Sequence, residues 1–194
     1  SLAALCLLLA AAAGASRAQS VVYSGRLDDP ANAALVSSDL TAPSFVDESA
    51  VANNVALYAL DVQVTGLVSI VSTGFAAGGA DPYFTLFSGA GATATVVGSN
   101  YTQAFSTGGD FSFSEVLAAG AYRIALGTFA NMSFAENLGS GVLGDGFTGL
   151  GVPDVLGDSH YRLVVNAPVP EPAAAGLLAA GMAALLLLRR RLRP

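Results

Sequence analysis

Between Gln19 and Ala167 apolar residues recur at every second position in short runs, and no longer stretch repeats them at helical spacing. Tyr58, Leu60, Val62 and Val64 form one such set, and Phe111 with Phe113 another; Tyr122, Ile124 and Leu126, then Tyr161, Leu163 and Val165, complete the series. Successive side chains of a strand point to opposite faces, so each set defines one buried face and one wet face. Leu67 to Ser72 and Tyr83 to Phe87, the latter after a Gly-rich loop and Pro82, add two more strand-like runs. Gly, Asn, Asp, Ser and Thr separate the runs at spacings of about 8 to 15 residues, which is the rhythm of a sandwich or jelly roll. The expected fold class is all-β: a single antiparallel, jelly-roll-like β-sandwich over residues 19–167. In "VLAAGAYRIAL" two runs meet at Leu117 to Gly120, which reads as a hairpin turning at Gly120. Helix is expected only at the two ends, apart from one turn near Asp47 to Asn53.

Much of the 53% apolar content sits at those ends. Leu2 to Ala13 is uninterrupted Leu and Ala with one Cys, followed by small residues and Ser16-Arg17-Ala18 before Gln19. This is the h-region and small-residue site of a signal peptide over residues 1–18, cut between Ala18 and Gln19. The chain opens on Ser, so the charged n-region is expected upstream of it. Cys6 is the one cysteine and lies inside the segment to be removed. It comes early in the apolar run, behind the large Leu5, which argues against a lipoprotein site. The exported domain therefore has no disulfide framework, thiolate metal site or thiol nucleophile.

Residues 19–168 hold thirteen acids against Arg26, Arg123 and Arg162, a net charge of −10. Such a surface repels phosphate backbones, so nucleic acid is not an expected partner. Lysine is absent from the sequence, which removes Schiff-base chemistry on a side-chain amine.

After Ala167 three regimes follow in order: Pro168, Val169, Pro170, Glu171 and Pro172; a 16-residue uncharged run, Ala173 to Leu188; and Arg189, Arg190, Arg191, Leu192, Arg193 and Pro194. The prolines make a stiff extended spacer. The apolar run would be about 24 Å long as a helix, slightly short of a hydrocarbon core of about 30 Å. The arginines stop transfer and hold the C-terminus in the cytoplasm. This tail resembles the PEP-CTERM sorting signal, a V-P-E-P box with a hydrophobic helix and an Arg-rich end, and the resemblance covers roughly the last 26 residues. The resemblance implies cleavage near Val169 to Pro172 by an exosortase, a membrane-embedded cysteine protease, in a bacterium that makes exopolysaccharide. The alternatives are a plain single-span anchor and a glycolipid-anchor signal, which normally lacks the basic end. "LYALDVQVTGLVSIVS", "GGADPYFTLFSGAG" and "LAAGAYRIALG" are also similar to the DVQ or FDP-type ectodomains of PEP-CTERM proteins, and more loosely to the bacterial pre-peptidase C-terminal β-sandwich. Ala80 departs from that pattern, in which Phe often precedes the Asp-Pro pair.

Catalytic candidates are few. His160 is the sole histidine, and no G-x-S-x-G, H-E-x-x-H or Walker pattern occurs. Gly139, Gly141 and Gly144 read G-x-G-x-x-G outside any strand-to-helix context. Carboxylates at Asp28 and Asp29, at Asp81, and at Asp145, Asp154 and Asp158 could ligate Ca²⁺ in loops, and Asp81, Asp145 and Asp158 are the candidate metal set; turn capping is the rival role. Asn100 and Asn131 open N-x-S/T sequons. The expectation is a non-enzymatic exported envelope or matrix protein without a required cofactor. Its expected partners are signal peptidase, exosortase, the membrane before processing, and exopolysaccharide. A carbohydrate- or Ca²⁺-binding adhesin-like module is the first alternative, and a secreted hydrolase the second.

Overall fold

The computed structural model describes residues 18–29, 31–32, 55–100, 109–148, 158–170, 176 and 181–182. Gln19–Pro168 form one compact unit, while the other, Ser1–Ala18 with Val169–Pro194, falls almost wholly outside the described residues. The described residues form eight strands: β1 (Ala18–Arg26), β2 (Ala56–Val62), β3 (Gly66–Ser72), β4 (Tyr83–Ser88), β5 (Thr95–Ser99), β6 (Ser112–Leu117), β7 (Gly120–Gly127) and β8 (His160–Pro168). They make two four-stranded sheets, ordered β1-β8-β3-β6 and β2-β7-β4-β5. Every pairing with a described register is antiparallel. First pairs with last, second with seventh, third with sixth and fourth with fifth, so the chain is one long antiparallel ribbon folded at its middle. Rolling that ribbon brings β8 beside β3 and β7 beside β4, which is jelly-roll connectivity.

The alternating sets meet between the sheets. Leu60 and Val62, Phe113, Ile124 and Leu126, and Leu163 and Val165 are all buried in one cluster with Val68, Ile70, Phe84 and Leu86. Phe84 stacks on Phe111 at 4.6 Å and meets Phe113 edge-on at 5.1 Å. Each such aromatic pair adds about 0.5–1.5 kcal/mol beyond the area it buries.

Two local expectations are corrected. β6 and β7 are not a hairpin around Gly120: β6 pairs with β3, β7 pairs with β2 and β4, and the link between them crosses from one sheet to the other. Ala119 N donates to Thr65 Oγ1 at 3.1 Å, tying this crossover to the neighbouring one between β2 and β3, and Tyr122 OH donates to Ala118 O at 3.0 Å. Strands that face each other across a core alternate just as paired strands do, so the pattern alone does not separate the two arrangements. Helix is not confined to the ends either. Phe134–Asn137 form a helical turn, N-capped by Ser133 Oγ, which accepts from Glu136 N at 3.2 Å. Four residues are too few to show a helical period. The turn expected near Asp47 to Asn53 lies outside the described residues.

A second apolar cluster lies on the far side of β2, β7 and β4. Leu57, Ala125 and Phe87 are buried there beneath Ala94, Ala135, Leu143 and Phe147. The covering segment is tied down by Glu136, whose carboxylate accepts hydrogen bonds from Tyr83 OH and, at 2.9 Å, from Thr85 Oγ1.

Candidate functional site

β1 and β2 are the edge strands on one side of the sandwich, and inward-facing tyrosines fill the gap between them. The Tyr23 ring stacks on Tyr58 at 4.2 Å with 26° between planes, and Tyr58 meets Tyr161 edge-on at 6.3 Å. Tyr23 OH donates to Ala59 O at 3.0 Å, and the hydroxyls of Tyr58 and Tyr161 share a hydrogen bond. Gly25 lies close beneath them: a Cβ there would stand 2.7 Å from the Tyr161 hydroxyl, so a side chain at this position would make the ring shift. Burial, with the hydrogen bond to Tyr58 next, holds the Tyr161 phenol far above the ordinary value of 10.0. Burial also raises Tyr23 and Tyr58. All three are therefore neutral donors and apolar surfaces at neutral pH, not phenolate bases.

Beside this cluster is a partly open cleft of about 210 Å³. Val21, Leu60, Val165 and Ala167 give it an apolar floor, Tyr23 forms a wall, and Gln19, Asp61 and Gln63 line it with polar groups. The three polar residues are exposed, and their side chains have no hydrogen-bond partner among the described residues. The lining holds no basic residue. An apolar floor under a few convergent polar groups suits a small neutral ligand with both a hydrophobic face and hydroxyls.

Asp81, Asp145 and Asp158 do not form a three-ligand site: the described residues contain no group of three or more acidic, His or Cys side chains placed to hold a metal. Asp81 Oδ1 accepts from Gly109 N at 2.6 Å, and Asp145 Oδ2 accepts from Val142 N at 2.8 Å. Asp158 accepts from His160 N at 3.1 Å and pairs with His160 Nδ1 at 2.8 Å, on an exposed surface. Asp28 is held by Arg26 and by Ser159 Oγ, and Asp29 Oδ1 accepts from Ala31 N. Asp154 lies outside the described residues. Both sequon asparagines support the backbone: Asn100 bonds Phe84 N and Pro82 O, while Asn131 is buried and donates to Thr148 O.

Ala18 and Gln19, the expected cleavage junction, are the exposed first residues of β1. Val169 and Pro170 follow β8 without regular structure; Glu171, Pro172, Arg189, Arg190, Arg191 and Arg193 lie outside the described residues. No helix among the described residues is long and apolar enough to cross a membrane, and of the run 173–188 only Gly176, Gly181 and Met182 are described. The cleft residues Tyr23, Asp61 and Gln63 escaped the sequence reading. Their signal is faint: polar residues at outward positions of "LDVQV" and a tyrosine in "VVYSG", which matter only once β1 and β2 lie side by side.

No protein-family model matches the chain, and no curated protein does. Among solved structures, it is similar to the pre-peptidase C-terminal domain of a Bacillus anthracis collagenase, with 8% identity, a TM-score of 0.32, and coverage of 76% of this chain and 86% of that one. The Yersinia pseudotuberculosis-derived mitogen is another match, with 11% identity, a TM-score of 0.25, and coverage of 61% and 88%. At these TM-scores the likenesses decide nothing about this chain, and its reading rests on its own sequence and geometry.

Proposed function

We propose that this chain is an exported, non-enzymatic envelope or extracellular-matrix protein, delivered through an exosortase-type C-terminal sorting signal. The observation that carries the reading is the order of three segments: Val169-Pro170-Glu171-Pro172, then 16 uncharged residues, then Arg189, Arg190, Arg191 and Arg193. A spacer of this kind holds an extended backbone ready for a protease at the membrane surface. The short apolar run suits a transient hold better than a permanent span. In this reading the precursor's ectodomain stands outside the inner membrane, its C-terminus stays cytoplasmic, and the processed β-sandwich passes to the cell surface or to a matrix containing exopolysaccharide.

Intact-mass analysis of the protein from its native host tests the reading. The expected mature form begins near Gln19 and lacks Ala173 to Pro194. A form still ending at Pro194 and fractionating with the inner membrane would make the tail a plain anchor. The binding-module alternative is favoured by one observation, the cleft between β1 and β2.

A further inference from the structure

The geometry points to the cleft between β1 and β2 as a subsite for one ring of a neutral saccharide. This goes beyond the sorting reading and stands on the cleft alone, so either can fail without the other. At about 210 Å³ the space is below the range of about 300–1,000 Å³ typical of drug-sized ligands, and it suits a single pyranose ring. Val21 and the Tyr23 ring, both half-buried, offer apolar contact to the C–H face of such a ring, backed by the buried Leu60, Val165 and Ala167. Gln19 and Gln63 each present an amide donor and acceptor, and Asp61 presents two acceptor oxygens. Hydroxyls both donate and accept, so this trio complements a sugar's polar edge.

The wall is preorganised. Tyr23 is held by its stack on Tyr58 and its bond to Ala59 O, so little side-chain freedom is lost on binding. Charge selects among sugars: the lining has Asp61 and no base, within a domain of net charge −10, so a uronate, sulfate or phosphate meets repulsion with nothing to offset it. A peptide adding a strand to β2 would need free edge carbonyls, and Ala59 O is already taken by Tyr23.

The test is a ¹⁵N NMR titration of the full chain in a zwitterionic micelle free of sugar-based detergent. Glucose, galactose, mannose and glucuronate are each raised to about 100 mM, a range that saturates a millimolar site. At least one neutral hexose should shift the Tyr23, Asp61 and Gln63 amides, and glucuronate should bind about tenfold more weakly, a difference of about 1.4 kcal/mol. Asp61→Ala and Gln63→Ala, both at exposed positions, should each weaken hexose binding several-fold while leaving the rest of the spectrum in place. Asp61→Asn should keep the hexose and narrow the gap to glucuronate. The inference is overturned if no hexose shifts these amides, if glucuronate binds as well as the hexoses, or if the Ala variants leave affinity unchanged. Shifts produced by a Val-Thr-Val-Thr peptide, and by no hexose, would overturn it in favour of strand addition.

Discussion

The outer face of the β2-β7-β4-β5 sheet is buried under its own second cluster, whereas the outer face of the β1-β8-β3-β6 sheet is open to water, although the two share one core. On the open face β8 alternates cleanly: Tyr161, Leu163 and Val165 point inward while Arg162 and Asn166 point out, with Asn166 Nδ2 donating to Ser69 Oγ at 3.0 Å. On the covered face β4 has no wet side, and Tyr83 through Phe87 are all buried. Tyr83, Thr85 and Phe87 lie under the segment that carries Glu136, and Phe84 and Leu86 lie in the shared core. The lesson is that a strand that loses its polar alternation needs cover on both faces, and here the long β7 to β8 connection supplies it.

The comparison is most exposed to a truncation at Phe87. If the second cluster is a true core, Phe87→Ala should cost about 3–5 kcal/mol, as much as Phe84→Ala between the sheets. Urea unfolding of both variants decides this, and a Phe87 variant close to wild type would reduce the covered face to loose loop packing. A smaller effect is expected at the tie. Glu136→Ala leaves the Tyr83 and Thr85 hydroxyls without their acceptor and should cost about 1–3 kcal/mol. Hydrogen exchange should then quicken from Ala135 to Leu143 and stay unchanged in β8; equal acceleration in both sheets would mean that the cover and the open sheet unfold as one.

Acid should act on the open sheet. The hydrogen bonds from Arg26, then Ser159, hold the Asp28 carboxyl well below the ordinary value of 3.8. A folded-state pKa below the unfolded one contributes stability that is present above the unfolded value and is lost as pH falls toward the folded value. Below about pH 4 the β1–β8 corner should therefore loosen, and Asp28→Asn should remove that part of the pH dependence. Thermal melts from neutral to acid pH check it; an unchanged acid slope in the variant would assign the loss to other carboxylates. The smallest effect is expected at Leu67 and Val116, cross-strand neighbours that are 64% and 65% exposed. Serine at both should change stability by no more than about 0.5 kcal/mol per site, and a larger loss in the same melts would mean that the open face is not simply solvated.

Much of the sandwich was legible in particular residues. Tyr161, Leu163 and Val165, or Ile124 and Leu126, announce an inward face because alternation is a local property of the backbone. The β6 to β7 crossover was not legible, because a two-residue link between alternating runs looks the same whether the runs pair or face each other. Glu136 and Asp110 were also missed. Asp110 accepts from Ser72 Oγ at 2.9 Å and from the Phe75 and Ala76 amides at 3.1 Å, and its partners lie more than thirty positions away in the chain.

By itself, then, the sequence determined the β class, the core-facing residues, the acidic balance and the linear order of the tail, since each depends on neighbours along the chain. Only the tertiary structure decided the pairing of first strand with last, the cover over β4, and the cleft that joins Tyr23, Asp61 and Val165. The physical reason is that alternation specifies which face of a strand is buried and is silent about its partner. The partner is chosen when the folded ribbon rolls up and residues more than a hundred positions apart come to share one apolar interior.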